Sequence, residues 1–169
     1  MHQIGDRSVT NTTTGALFIT VGIPGCGKTT VVEKMLVNDQ IDIVVSSDKI
    51  REDLTGDMTN QEQNNDVFAL LNQRVRAGLA TGWARVMVDA TNLRPAYRKV
   101  LMGFADEFGV SAQALHFKDS ADLDLCQKRN QSRLRVVPFD VMQRFHRYFI
   151  EESNPSQLRG EGWRVVSIG

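Results

Sequence analysis

Eight consecutive residues, Gly22-Ile23-Pro24-Gly25-Cys26-Gly27-Lys28-Thr29, fit the pattern G-x-x-x-x-G-K-[ST], and no other feature restricts the fold of this chain as much. The pattern works only as a turn between a strand and a helix. Glycines let backbone N–H groups converge on phosphate oxygens, and the start of a helix adds positive potential. The flanks supply both elements: Ala16 to Val21 is a short apolar run, while Val31, Val32, Met35 and Leu36 recur at helical spacing. In such a loop Lys28 neutralises the β and γ phosphates and Thr29 ligates Mg²⁺. The implied ligands are ATP or another nucleoside triphosphate with Mg²⁺, and Thr30 joins the loop residues as a nucleotide-binding candidate.

The strand-then-helix order continues along the chain. Ile41 to Ser46 reads as a strand buried on both faces. From Gln61, Val67, Leu70, Leu71, Val75 and Leu79 line one side of a helix that Gly78 weakens and Gly82 ends. Arg85 to Asp89 is a third strand, and Pro95 opens a helix closed by Gly109. Ser111 to Phe117 is a fourth strand, Ala121 to about Arg129 a helix, Pro138 the start of another, and Trp163 to Ile168 a last strand. Alternation of this kind specifies one α/β domain, residues 15–169, with a mostly parallel sheet. Residues 1–14, polar and rich in Thr and Asn, are expected to be a flexible leader. In such sheets ligands lie at the carboxyl ends of the strands, where Gly22, Asp48 and Asp89 all fall.

Charge bears on the choice of partner. With 20 basic and 20 acidic residues, no overall field draws the chain to nucleic acid or an anionic membrane. Basic surface must be local, and Lys128 to Arg147 supplies it with six Lys and Arg residues against Asp140 alone. The two cysteines, Cys26 and Cys126, lie outside any C-x-x-C spacing and read as free thiols of a reducing compartment. No apolar run approaches the roughly 20 residues that span a bilayer, so the expectation is a soluble cytoplasmic protein. His2, His116 and His146 have no metal-ligand spacing, and Trp83, Trp163 and the phenylalanines are expected in the core.

Further positions carry chemistry. Asp48, just past the second strand, either accepts the proton of an acceptor hydroxyl as general base or caps the helix that follows. Arg51, one turn on, points the same way or is an exposed helix charge. Asp89 either holds Mg²⁺, directly or through water, or hydrogen-bonds the loop Ala90-Thr91-Asn92. No second acid follows it to activate water, which suits transfer to a hydroxyl better than hydrolysis. Arg133 and Arg135, between two helices, close over a triphosphate or form a solvated basic turn. Cys26, beside Lys28 at a helix start, is expected to be a reactive thiol unless the loop shields it.

Taken together, Gly22 to Thr29, Ser46-Ser47-Asp48 with Arg51, Val88 to Leu93, and Lys128-Arg129-Asn130 leading through Arg133 and Arg135 to Val137-Pro138 form an ordered set. It resembles the kinase module of phage and bacterial polynucleotide 5'-kinases over nearly all of the chain after the leader. The resemblance implies adenylate-kinase-like topology, a sheet ordered 2-3-1-4-5 with helices on both faces, and an arginine-bearing lid. By it Asp48 is the general base, Arg51 holds the phosphate on the 3' side of the terminal nucleotide, Arg133 with Arg135 covers the donor phosphates, and Arg129 contacts the nucleotide. The implied acceptor is the 5'-hydroxyl end of RNA or DNA. Two other readings stand beside it: a P-loop kinase of a small-molecule hydroxyl, and a nucleotide-binding switch that transfers nothing.

Overall fold

The architecture follows from strands apolar on both sides. In the computed structural model, which describes residues 15–56 and 64–169, β1 (Ala16–Val21) is the middle of five parallel strands in the order β2-β3-β1-β4-β5. The others are β2 (Ile43–Ser46), β3 (Arg85–Asp89), β4 (Ser111–Phe117) and β5 (Arg164–Ile168). Leu17, Ile19 and Val21 of β1 and Val86, Met87 and Val88 of β3 are buried, as strands covered on both faces require. Helices cover both faces: α1 (Lys28–Val37), α2 (Ser47–Thr55), α3 (Asn64–Ala80), α4 (Pro95–Phe108), α5 (Leu123–Gln131), α6 (Phe139–Glu152) and α7 (Pro155–Gly160). The sheet order is the one implied by the resemblance. The flexible leader of residues 1–14 and a helix start at Gln61 both lie outside the described residues.

Register places the chemistry. Ser46 of β2 stands beside Asp89 of β3, and β1 runs between β3 and β4 into the glycine loop. Three segments therefore leave the same edge of the sheet side by side: the loop after β1, the loop after β3, and the start of α2.

Several expectations are corrected in detail. Gly78 does not end α3, which runs on to Ala80, and it lets the helix lie against the sheet, since a Cβ there would sit 2.9 Å from Cγ2 of Val86. Ile41 is buried but precedes β2. There the Asp42 N–H donates to the Arg85 carbonyl at 2.9 Å, while its carboxylate takes the Arg85 N–H and guanidinium. The helix expected from Ala121 is split. A 3-10 turn covers Lys118–Ala121, and α5 begins after Asp122, whose side chain accepts from the Leu125 N–H at 2.9 Å. α7 adds to the expected elements; a capping box of Asn154 and Gln157 starts it and Leu158 anchors it. Trp163 is buried, but Trp83 is 58% exposed and is not core.

Candidate active site

The glycine loop is shaped by what lies beneath it. Gly25 has φ +82°, a left-handed conformation that glycine adopts freely, and a Cβ there would stand 2.4 Å from the carbonyl oxygen of Cys126. The loop is tied at two points: the Ile23 N–H donates to Ser120 Oγ at 3.1 Å and the Gly22 N–H to the Thr91 carbonyl at 3.1 Å. Lys28 opens α1 and folds over the loop, its Nζ donating to the carbonyls of Gly22 (3.1 Å) and Ile23 (2.8 Å). Pro24, Gly25, Gly27, Lys28, Thr29 and Thr30 line a cavity of about 930 Å³. Cys26 does not. Its side chain turns under the loop and is 4% exposed, so the loop shields the thiol that was expected to be reactive.

Across this cavity stands Asp48, in the first turn of α2. The cap of that helix is Ser46, whose Oγ accepts from the Lys49 N–H at 3.3 Å, so the Asp48 carboxylate has no capping duty. It meets three guanidinium groups instead. Arg51 Nη1 donates to Oδ1 at 3.2 Å, Arg135 Nη1 pairs with the same oxygen, and Arg133 Nη2 lies 3.9 Å from Oδ2. The last distance is an ion pair too long for a hydrogen bond. Arg51 is not an exposed helix charge: it is 5% exposed, with Nη2 donating to Asn64 Oδ1 at 2.9 Å. Nε of Arg51 and Nη1 of Arg133 are buried with no hydrogen-bond partner. Buried donors of this kind carry a desolvation cost that an anionic ligand would offset.

The lid segment owes its shape to one side chain. Asn130, fully buried at the end of α5, donates to the Val137 carbonyl (2.8 Å) and accepts the Val137 N–H (3.0 Å), closing the loop between them. Along the loop Leu134 points outward at 93% exposure, while Arg133 and Arg135 face Asp48. Arg129, earlier on α5, reaches Asp119 Oδ2 at 3.0 Å and the Gly25 carbonyl at 3.4 Å, so it stands beside the glycine loop.

Asp89 ends β3 on the cavity wall. Burial raises its pKa above the ordinary carboxylate value, and the nearby Lys28 charge opposes that rise. The alternative in which it hydrogen-bonds the following loop does not hold. Thr20 Oγ1 bridges to Ala90 (2.6 and 3.2 Å), and Asn92 Nδ2 donates to the Thr20 carbonyl at 2.7 Å, so the loop is held without it. The hydroxyl of Thr29 and the carboxylate of Asp89 are hard oxygen donors on the same cavity. Among the described residues no cluster of three His, Cys, Asp or Glu forms a metal cage. Such a sparse donor set fits Mg²⁺, which keeps most of its shell for water and phosphate.

All of the residues singled out from the sequence on the acceptor and lid sides, Asp48, Arg51, Asp89, Arg129, Arg133 and Arg135, thus share one cavity with the loop. Arg144 of α6, from the basic stretch Lys128 to Arg147, lines it too. The part of the wall not foreseen is Asn64 and Phe68 from α3, Arg94 and Tyr97 from the start of α4, and Phe145 and Tyr148 from α6. Phe68 and Tyr97 are stacked, centroids 4.7 Å apart at 11°, and Arg94 lies 4.5 Å over the Tyr148 ring. Phe68 is therefore not a core phenylalanine. The only sequence cue was the placing of Arg94 and Tyr97 around Pro95 at a helix start.

Comparison with known proteins bears on the fold that carries this site. The profile of the family described as AAA domain matches residues 17–152. No curated protein matches the sequence. Among solved structures, a gluconokinase from Sinorhizobium meliloti 1021 superposes with TM-score 0.57 at 20% identity, covering 92% of this chain and 82% of its own. A chain of the Pnkp1/Rnl/Hen1 RNA repair complex superposes with TM-score 0.67 at 20% identity, covering 81% of this chain and 44% of its own. This chain thus spans less than half the length of that repair-complex chain. The likeness in both cases is one of fold, that of P-loop kinases. No described helix is long and apolar enough to cross a membrane.

Proposed function

The chain belongs to the AAA domain family, and on that premise we propose that it is a polynucleotide 5'-hydroxyl kinase, moving the γ-phosphoryl group of ATP or another nucleoside triphosphate to the 5'-hydroxyl end of RNA or DNA. The observation that carries the proposal is the facing of Asp48, with buried Arg51 beside it, toward the phosphate loop across one shared cavity.

In this reading the backbone N–H groups of the loop and the Lys28 ammonium hold the donor phosphates. Thr29 and Asp89 would hold Mg²⁺, which when bound supplies positive charge to the β and γ oxygens. Oδ2 of Asp48, free of hydrogen bonds from the three arginines, accepts the proton of the attacking hydroxyl as the new oxygen–phosphorus bond forms and the bond to the diphosphate breaks. Arg133 and Arg135, which line the same cavity beside Asp48, offset the charge that spreads over the transferring group, a role worth about 10³ to 10⁵ in rate where such an arginine is present. The unpartnered Nε of Arg51 gives a phosphodiester oxygen a charge-assisted contact, and the likeness in fold to a chain of an RNA repair complex favours an acceptor of that kind.

A small anionic acceptor would also pair with Arg51, and the likeness to a gluconokinase supports that second reading. Transfer of labelled γ-phosphate separates the two. The proposal requires label on 5'-hydroxyl oligonucleotides and none on 5'-phosphorylated ones; label on gluconate or another sugar acid alone favours the second. Label on no hydroxyl acceptor returns the chain to a nucleotide-binding switch.

A further inference from the structure

The acceptor wall carries an unassigned feature next to Arg51. Asn64, which holds the Arg51 guanidinium at 2.9 Å, and Phe68 stand four residues apart on α3. They share one helix face about 6 Å apart along its axis. Phe68 stacks against Tyr97 of α4, and Tyr97 remains 48% exposed. Both rings line the cavity that holds Asp48. A guanidinium and a flat aromatic surface are therefore offered side by side, at the order of separation between a nucleotide's base and its flanking phosphate. Neither ring serves the hydrophobic core, since Phe68 and Tyr97 both lie outside it. The ring faces carry no hydrogen-bonding pattern, so a stack on them can take any base.

Resting on the kinase reading above, we infer that the Phe68–Tyr97 stack is the platform for the terminal nucleobase of the acceptor, and that it selects unpaired 5' ends. A base can stack on a protein ring only after leaving its own stack and pair, which costs least in a single strand. Stacking of this type tolerates every base, because each has a π-face. The platform would set preference for strand state, not for sequence.

The test uses the full chain with ATP and three acceptors: a single-stranded 5'-hydroxyl oligonucleotide, the same strand with an abasic 5'-terminal residue, and the same strand with its 5' end recessed in a duplex. Loss of one base–ring contact corresponds to about 5- to 150-fold. The expected result is a drop of about tenfold or more in kcat/KM for the abasic and recessed acceptors with wild-type protein. Tyr97→Ala should give the same drop on the intact strand, no further drop on the abasic one, and an unchanged KM for ATP. Tyr97→Phe keeps the ring and should retain wild-type selectivity, which separates loss of stacking from loss of structure. Equal rates on intact and abasic strands would overturn the platform while leaving the kinase reading in place, as would an equal loss on both from Tyr97→Ala. Absence of transfer to any oligonucleotide would overturn both.

Discussion

Replacing Asp48 by Asn separates catalysis from architecture at one atom. Asn keeps the shape and the Oδ1 acceptor for Arg51 and Arg135, but it cannot take a proton. The loss of a general base costs about 10² to 10⁴ in turnover, or roughly 3 to 5 kcal/mol of barrier. The structural cost is smaller. Asp48 is 37% exposed and pairs with three arginines. Pairs in that setting are worth about 0.2 to 1 kcal/mol each, so removing the charge costs about 0.6 to 3 kcal/mol in all. For a chain of this size that lowers Tm by about 1 to 12 °C. The expected outcome is a folded protein with near-normal nucleotide affinity and very low turnover, read by label transfer and a circular dichroism melt. Ser46→Ala is the matched control, because Ser46 is the true cap of α2; it should cost about 1 kcal/mol of stability with turnover close to wild type. Full turnover in Asp48→Asn, or an equal loss in Ser46→Ala, would refute the assignment.

Lys28→Ala should abolish transfer while leaving the melt within a few degrees of wild type, because the side chain bonds only its own loop and the thiol beneath it; label transfer and a melt together check it. Arg51→Ala should raise the KM for an oligonucleotide by about one to two orders of magnitude, the value of a charged hydrogen bond, and affect a bare nucleoside far less, as steady-state kinetics on both acceptors will read. Asp42 gives the pH dependence. The Arg85 guanidinium and N–H hold its carboxyl down to about 2, so its contribution to stability is full above the ordinary carboxylate range and fades as pH falls through about 2. Asp42→Asn should therefore be less stable than wild type in urea at neutral pH, with the difference closing as the pH is lowered to about 2.

The legible part of this molecule is the part written in local periodicity. β1, β3 and β4 can be bounded from runs of apolar residues, and the phosphate loop from its spacing, because each is decided by residues adjacent in sequence. Questions of direction stay open at that level. Whether Asp48 caps a helix depends on which residue takes up the β conformation before it, and the two serines at 46 and 47 leave that undecided until Ser46 is found to do it. Arg51 could be exposed or buried on the same helix, and only the arrival of α3 with Asn64 settles it. Phe68 reads as core because helical spacing does not distinguish a face turned to the sheet from one turned to a cavity. α7 escapes notice because six residues are too short for periodicity, although its Asn154, Pro155 and Gln157 are the capping pattern itself.

The acceptor wall is also fixed from a distance. Arg98, one residue past Tyr97, is fully buried and uses all five of its N–H groups: two on Glu161, one on the Asn92 carbonyl, one on Ser153 Oγ and one on the Glu152 carbonyl. Asn92 in turn holds the loop after β3, and Ser153 donates to the Leu93 carbonyl at 2.8 Å. One guanidinium thus joins the loop that follows Asp89, the helix that carries Tyr97, and the end of the helix that carries Tyr148. A buried charge with every donor satisfied is tolerated, whereas removal of one partner of such a pair costs about 3 to 5 kcal/mol. That asymmetry makes the junction stiff. Arg94, on the same loop, is pinned between Glu152 at 3.3 Å and the Tyr148 ring. The spacing between the aromatic platform and the carboxylates is therefore set by packing on the far side of α4, by residues that touch neither the phosphate loop nor Asp48.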